Sequence, residues 1–333
     1  MTAAKDRYLI GEMVRRGCEI LGVSEHNVLR RVGLPDDYVD TETKGVTPRQ
    51  CFDMWRAFAA EIDREDALLE LSRALVHAPQ VPAMYAFSCS PDIESGLTRL
   101  ALFKPLVAPC ALEVQRVGDT VVLTAQSSDP IEKMPEVLCL FEVLYFVECF
   151  RLFTNVDIRP LSVGGPMRDE DWSIVERFTG VAPVQSDVAR IVLSVEDATR
   201  PLVTRSERLW EHFGADLERR LEEKKRRVPY SAKVRVTLVQ MLPSGQCSVD
   251  DVCRRQGVSK RTLQRRLSEE GTTFQEVLAG TRAEMSMKYL EDGHLSISEI
   301  SYLLGYQDQR SFFRAFQGWT GKTPMEARAT VLQ

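Results

Sequence analysis

Residues able to make directed polar contacts gather in two short stretches near the C-terminal end. In QRSFFRAF (309–316), Arg310 and Arg314 stand four apart and three phenylalanines fill the space around them. Projected at about 100° per residue, Phe312, Ala315 and Phe316 share one face of a helix. Arg310, Arg314 and Gln317 take the opposite face, and Phe313 lies on the border between packing and apolar contact outward. The stretch 260–269, KRTLQRRLSE, has the same design: Leu263 and Leu267 inward, Arg261, Gln264, Arg265 and Ser268 outward. A guanidinium can donate two bonds to guanine O6 and N7, and a carboxamide can pair with adenine N6 and N7. Both faces therefore suit base edges in a major groove. For one helix alone, a solvated basic surface is the favoured reading.

What positions these helices is a repeated unit. SVDDVCRRQGVSKRTLQRRL (248–267) and SISEISYLLGYQDQRSFFRAF (296–316) align with Ser248 over Ser296, Val252 over Ile300 and Gly257 over Gly305. One extra residue in the second turn then brings Arg261 over Arg310 and Arg265 over Arg314, 49 residues apart. In each copy a Ser N-cap opens a short helix, a glycine permits a left-handed turn, and a second helix follows. Two copies of a helix-turn-helix pattern favour DNA over a solvated surface. Helices are expected over 231–242, 249–256, 260–269, 274–291, 297–304, 309–317 and 324–330.

The net charge of −5 is unevenly spread. Residues 224–333 carry 18 Lys+Arg against 11 Asp+Glu, and 1–223 carry 25 against 37. A basic end on an acidic body points to a polyanionic partner for the C-terminal part. The basic run Lys224–Arg227, followed by Pro229, reads as a linker over 224–230, with extra phosphate contacts as the alternative.

Upstream, the pattern is α+β. Helical pieces cover 1–80, with a longer amphipathic run at 48–76. Two β-rich runs in 111–127 meet at Gly118-Asp119, a hairpin signal. A helix (136–153), a strand (157–163), a helix from Asp169 (169–179), a strand (188–195) and a return to helix over 197–223 follow. Gly164-Gly165-Pro166 reads as a turn. The helix 136–153 is apolar on nearly every side, which fits a buried spine or half of a dimer interface. Its Glu142, Glu148 and Arg151 and its short length argue against a membrane span.

Catalytic and metal chemistry find little support. Eight cysteines form no CxxC pair, and His26, His77, His212 and His294 lie far apart, so neither a disulfide framework nor a metal site is expected. Cys89, between Ser88 and Ser90, lacks the glycines of a nucleophile elbow and reads as a buried thiol. No GxxxxGK[ST] loop occurs, so no cofactor and no enzymatic activity are expected. MTAAKDRYLIGEM has no apolar h-region, so no signal peptide is expected and the cytoplasm is the expected compartment.

RTLQRRLSEEGTTF (261–274), Arg282…Met285…Tyr289-Leu290, EISYLLGYQDQRSFFRAFQGW (299–319) and TGKTP (320–324) resemble the AraC/XylS family of transcription regulators over 231–333. MEARAT, after Pro324, lacks the aromatic-Arg pair often found there. The resemblance implies two helix-turn-helix subdomains joined by a long helix (274–291), reading two successive major grooves of double-stranded DNA. It places base contacts on Arg261, Gln264, Arg265, Gln309, Arg310 and Arg314. Ser259 and Lys260 complete the set, Lys260 as a phosphate contact.

EILGVSEHNVLRRVGLP (19–35), AFSCSPDIESGLTRLALF (86–103), the hairpin and ERFTGVAP (176–183) are similar to the sensory domain of a subgroup related to regulators of ornithine and arginine use. The fold class expected is thus an α+β N-terminal sensor domain (1–223) followed by an all-α DNA-binding domain (231–333). The resemblance further implies an unidentified small-molecule effector, a homodimer and RNA polymerase as partner. Control by a protein partner without a small ligand is the alternative. An effector pocket is expected only by region, near the hairpin 111–126 and Met84–Cys89. Arg99 and Arg116 are possible partners of an anionic effector, but a solvated surface role is the simpler reading of each.

Overall fold

The computed structural model describes residues 7–41, 45–77 and 81–331. Of the segments considered above, Met1–Asp6 and the side chains of Asp169, Lys225 and Arg227 lie outside the described residues. The chain divides into an N-terminal unit that ends at Lys225 and a C-terminal unit from Arg226 onward, with which Pro130–Glu132 is grouped.

The N-terminal unit opens with helices α1 (Gly11–Leu21), α2 (Glu25–Val32), α3 (Tyr38–Thr41), α4 (Pro48–Glu61) and α5 (Ala67–Val76). The run expected at 48–76 is two helices, broken at Ile62, where the polar stretch Asp63–Asp66 begins. Two helices the sequence reading had not assigned follow, α6 (Pro82–Ser88) and α7 (Ile93–Phe103). Both carry local start signals: Pro82 opens α6, and Asp92 accepts a bond from the Ser95 amide at 2.8 Å.

The hairpin forms as expected, β1 (Cys110–Val117) against β2 (Thr120–Ser127), turning at Gly118 with φ +58°. Next come α8 (Glu136–Thr154), β3 (Ser162–Gly165), α9 (Asp169–Thr179), β4 (Val184–Gln185), β5 (Ala189–Ser194) and α10 (Val195–Ala198). The strands make one sheet in the order β1-β2-β5-β3-β4, antiparallel except for the β3–β4 pair.

Two expectations fail here. Residues 157–161 are not strand. Pro160 removes one donor, and of these residues the Leu161 amide alone reaches β5, bonding Val192 O at 2.7 Å. Gly164 and Gly165 are not a turn either, but the end of β3. A Cβ on Gly164 would lie 2.7 Å from Val184 O, so the glycine lets β4 approach.

Thirteen of the 19 residues of α8 are buried within this unit, which makes the helix its spine. Its one deeply buried acid, Glu142, accepts from Lys104 Nζ at 2.7 and 2.9 Å. A small cavity of water-molecule size lies where α8 meets β2 and β5, lined by Leu123, Ala125, Glu142, Phe146 and Ile191 among others. The hairpin contributes to it through β2; Met84–Cys89 does not. Cys89 is buried, and burial raises its thiol above the ordinary value, as suits an inert side chain.

The return to helix expected over 197–223 holds only from 207 on, since 199–206 is not helical; α11 (Glu207–Arg227) then runs through the basic segment expected as a linker, so the chain is helical as far as Arg227. Val228 and Pro229 interrupt it before α12 (Tyr230–Met241). The C-terminal unit continues with α13 (Val249–Gln256), α14 (Lys260–Glu269), α15 (Phe274–Asp292), α16 (Ile297–Leu303), α17 (Gln309–Thr320) and α18 (Pro324–Val331). These match the expected helices closely; α17 is the one that runs well past its expected end. The unit is all-helical, with its own core around Val234, Leu238, Leu263, Ile300, Phe312 and Phe316. No helix among the described residues is long and apolar enough to cross a membrane.

Candidate nucleic-acid interface

Each outward-facing helix is built by local chemistry first. Ser248 Oγ accepts from the Asp251 amide at 3.1 Å, and Asp251 accepts from the Ser248 amide at 3.2 Å. The second copy repeats this box with Ser296 and Glu299, at 3.2 and 2.7 Å. These bonds pull Asp251 and Glu299 below their ordinary pKa values, chiefly through the Ser side chains. Gly257 and Gly305 then take φ of +65° and +70°, the left-handed turn that redirects the chain into the second helix.

The second helices are capped in their turn. Ser259 Oγ accepts from the Thr262 amide at 3.1 Å, and Asp308 accepts from the Ser311 amide at 2.8 Å. The Ser259 hydroxyl is therefore committed to the start of α14. Leu263 and Leu267 on α14, and Phe312 and Phe316 on α17, have no exposed surface. With the inward face so anchored, Arg261, Gln264 and Arg265 of α14 are exposed, and so are Gln309, Arg310, Arg314 and Gln317 of α17. Ser259 and Lys260 are exposed at the head of α14.

The exposed cations are held lightly. Lys260 meets Asp250 at 3.5 Å, Arg265 meets Glu269 at 3.0 Å, and Arg314 donates to Ser311 Oγ at 3.3 Å. Surface pairs of this kind contribute little and exchange readily for phosphate or base contacts. Phe313, the border residue, is half-buried, packs against the unit's core and meets Phe312 edge to face. Its packing role is thus visible in the structure.

The two helix-turn-helix copies are joined by more than α15 itself. Arg282, in the middle of that helix, donates from Nε to Leu304 O at 2.9 Å and from Nη2 to Gly305 O at 3.2 Å. Its guanidinium also lies over the Tyr306 ring, 4.4 Å from the centroid. The turn of the second copy is thereby fastened to the connecting helix. Sequence reading noted Arg282 only as part of a pattern; its carbonyl partners are 22 and 23 residues away. Thr273 and Glu276 close a capping box that starts α15.

Among the described residues no cluster of His, Cys, Asp or Glu is arranged to hold a metal ion.

Comparison with known proteins agrees with this geometry. Residues 252–330 match a helix-turn-helix domain family. Residues 22–202, more than half of the chain, match the arabinose-binding domain of AraC transcription regulator, N-terminal. The ornithine utilization regulator of Pseudomonas aeruginosa is 41% identical over 80 residues, 24% of each chain. The HTH-type transcriptional regulator VirS of Mycobacterium tuberculosis is 37% identical over 90 residues, 27% of this chain and 26% of VirS. These alignments span about a quarter of the relatives' length. The transcriptional regulator CdpR from Pseudomonas aeruginosa aligns over 99% of this chain and 100% of its own, at 20% identity and a TM-score of 0.36. With its N-terminal domain and its helix-turn-helix region both matched, the chain belongs to the AraC family of transcription regulators.

Proposed function

We propose that the protein binds a specific double-stranded DNA site through α14 and α17, placed in two successive major grooves, under the control of a small effector held by the N-terminal domain. The observation that carries this reading is the pair of exposed Arg/Gln faces, each pinned by two side chains with no exposed surface. A homodimer on adjacent half-sites and contact with RNA polymerase belong to the same proposal. The grooves are then about one helical turn, ~34 Å, apart.

In this reading Arg261, Gln264, Arg265, Gln309, Arg310 and Arg314 read bases, while Lys260 and the helix start at Ser259 hold phosphate. Arg265→Ala or Arg314→Ala should cost roughly 1–3 kcal/mol at the specific site and relax preference at one base position. Selection of binding sites from random DNA, followed by titration at several salt concentrations, tests both. Equal weakening on every sequence would assign these arginines to phosphate instead. Lys260→Ala should lower the salt slope by about 0.9.

A further inference from the structure

Arg99 lies on α7 and faces the start of α11. Its guanidinium carbon is 4.5 Å from the centroid of the Trp210 ring, and Nη2 is 3.8 Å from Glu207 Oε2. Nη1 is buried without a hydrogen-bond partner among the described residues. Arg151 makes an instructive contrast. It too lies 4.5 Å over a ring, that of Phe178, yet it donates to Ile158 O and Phe178 O at 3.1 and 3.0 Å. Arg116, the other arginine weighed from sequence, is taken by Glu94 at 2.6 Å. Arg99 alone of the three leaves a buried donor unmet, and its one acidic neighbour is distant and 64% exposed.

The frame around it is well tied. Leu202 N donates to Pro91 O at 3.0 Å, Thr204 Oγ1 to Ser88 O at 2.6 Å and Ser206 N to Cys89 O at 3.0 Å, so the approach to α11 is fastened to the end of α6. Tyr85 stacks on Phe213 at 4.8 Å, holding the next turn of α11. Arg99 is the loosely held member of a rigid setting.

We infer that Arg99 is the anion-recognising residue of the N-terminal domain and takes a small carboxylate in place of Glu207, an assignment that rests on the effector reading above. A ligand carboxylate accepts two parallel bonds from one guanidinium edge. It satisfies Nη1 and Nη2 together, where Glu207 meets Nη2 alone and at long range. A guanidinium stacked on an indole keeps its in-plane donors free, so the exchange of Glu207 for the ligand takes place beside Trp210. That residue stands near the start of the helix that leads in sequence to the C-terminal unit. The two states differ in a named contact, which is what allows a ligand to shift their balance.

Acetate is the fitting probe, because a carboxylate site must accept it whatever body the natural ligand carries. Full-length protein is titrated with acetate against chloride at matched ionic strength, following tryptophan emission and melting temperature. A saturable response is expected at millimolar concentrations or above, on the order that so few ligand atoms permit. Arg99→Gln should weaken it about tenfold or more, Trp210→Phe should abolish the emission change, and Glu207→Gln, at an exposed position, should strengthen binding about two- to fivefold. If acetate does no more than chloride in both the parent and Glu207→Gln, the assignment is overturned. A metabolite whose effect on DNA affinity survives Arg99→Gln would keep effector control and remove Arg99 from it. Acetate binding at Arg99, with DNA affinity unmoved by acetate and by every metabolite that competes with it, would keep the site and sink effector control.

Discussion

Replacing Glu142 by Gln should destabilise the N-terminal domain by about 3–4 kcal/mol near neutral pH, and the loss should shrink as pH rises. Lys104 and Glu142 are 12% and 4% exposed, and Nζ lies 2.7 and 2.9 Å from the two carboxylate oxygens and 5.4 Å from the Phe146 centroid. At an effective dielectric of about 20 this separation gives roughly 6 kcal/mol of attraction. Removing each ion from water costs several kcal/mol, so the intact pair comes close to balance. Burial works against the charged ammonium, yet the charge and hydrogen bonds of Glu142 carry Lys104 above its ordinary value of 10.5. With a raised folded value, the contribution of Lys104 is fully present below pH 10.5 and is lost only as pH climbs through the folded value.

Glu142→Gln reverses that sign. The ammonium is left buried without a counter-charge and escapes by losing its proton. Deprotonation costs about 1.4 kcal/mol for each unit that pH lies below 10.5. At pH ~7.5 this sets a ceiling of about 4 kcal/mol, falling to about 1.4 kcal/mol at pH ~9.5. Urea unfolding followed by tryptophan emission is a suitable assay, since Trp55, Trp172 and Trp210 of the four tryptophans lie in this domain. Adding Lys104→Met to Glu142→Gln should recover most of the loss, because no buried charge then remains. A cost below about 1 kcal/mol, or a cost that does not change with pH, would show that solvent reaches the pair and that the argument from burial is wrong.

Arg282→Lys should weaken the coupling between the two helix-turn-helix units although it keeps the charge, because a lysine cannot donate to Leu304 O and Gly305 O while lying over Tyr306; the check is a larger loss of affinity for a full two-groove site than for a half site. Gly305→Ala should cost more than Gly257→Ala. Both carry the left-handed penalty of about 1–2 kcal/mol, but only at Gly305 would a Cβ meet the Cys247 sulfur at 3.3 Å and Arg282 Nη2 at 3.5 Å; chemical denaturation of the two variants compares them. The carboxylates of Asp251, Glu299 and Asp308, all depressed mainly by serine hydroxyl bonds, stabilise helix starts above their ordinary values of 3.8 and 4.5 and lose that contribution as pH falls through their lower folded values. Helicity followed by circular dichroism should hold down to about pH 4.5 and then fall, and Ser248→Ala should remove about 1 kcal/mol at neutral pH.

The two halves of the chain differed in how much their residues disclosed. In the C-terminal unit nearly every helix boundary is set by a residue within three positions of it: Ser248, Ser259, Thr273, Ser296 and Asp308 each accept from the amide three residues on. Helix faces follow from the same short window, which is why the sequence alone places Arg265 and Arg314 outward. The N-terminal unit obeys longer-range terms. Pro-Ala-Met-Tyr-Ala-Phe-Ser (82–88) has no amphipathic period to declare a helix; five of its seven residues are buried, and its ring contacts are with distant elements, Phe87 with Phe153 of α8 and Tyr85 with Phe213 of α11. Gly164-Gly165 looks like a turn until β4 is beside it.

The same distinction explains why the surroundings of a polar side chain could be read from sequence in one half and not in the other. For Arg310 the neighbours that matter are Phe312 and Phe316, two and six residues away, and they decide its exposure. For Arg99 they are Glu207 and Trp210, more than a hundred residues away, so a window around position 99 shows a cation on a helix and nothing else. Function divides along that line too. Reading DNA needs only that a rigid short helix present its outer face, a property that local caps and two anchors supply. Responding to a ligand needs a side chain with two nearly balanced sets of partners, and such a balance arises only between elements that folding has brought together.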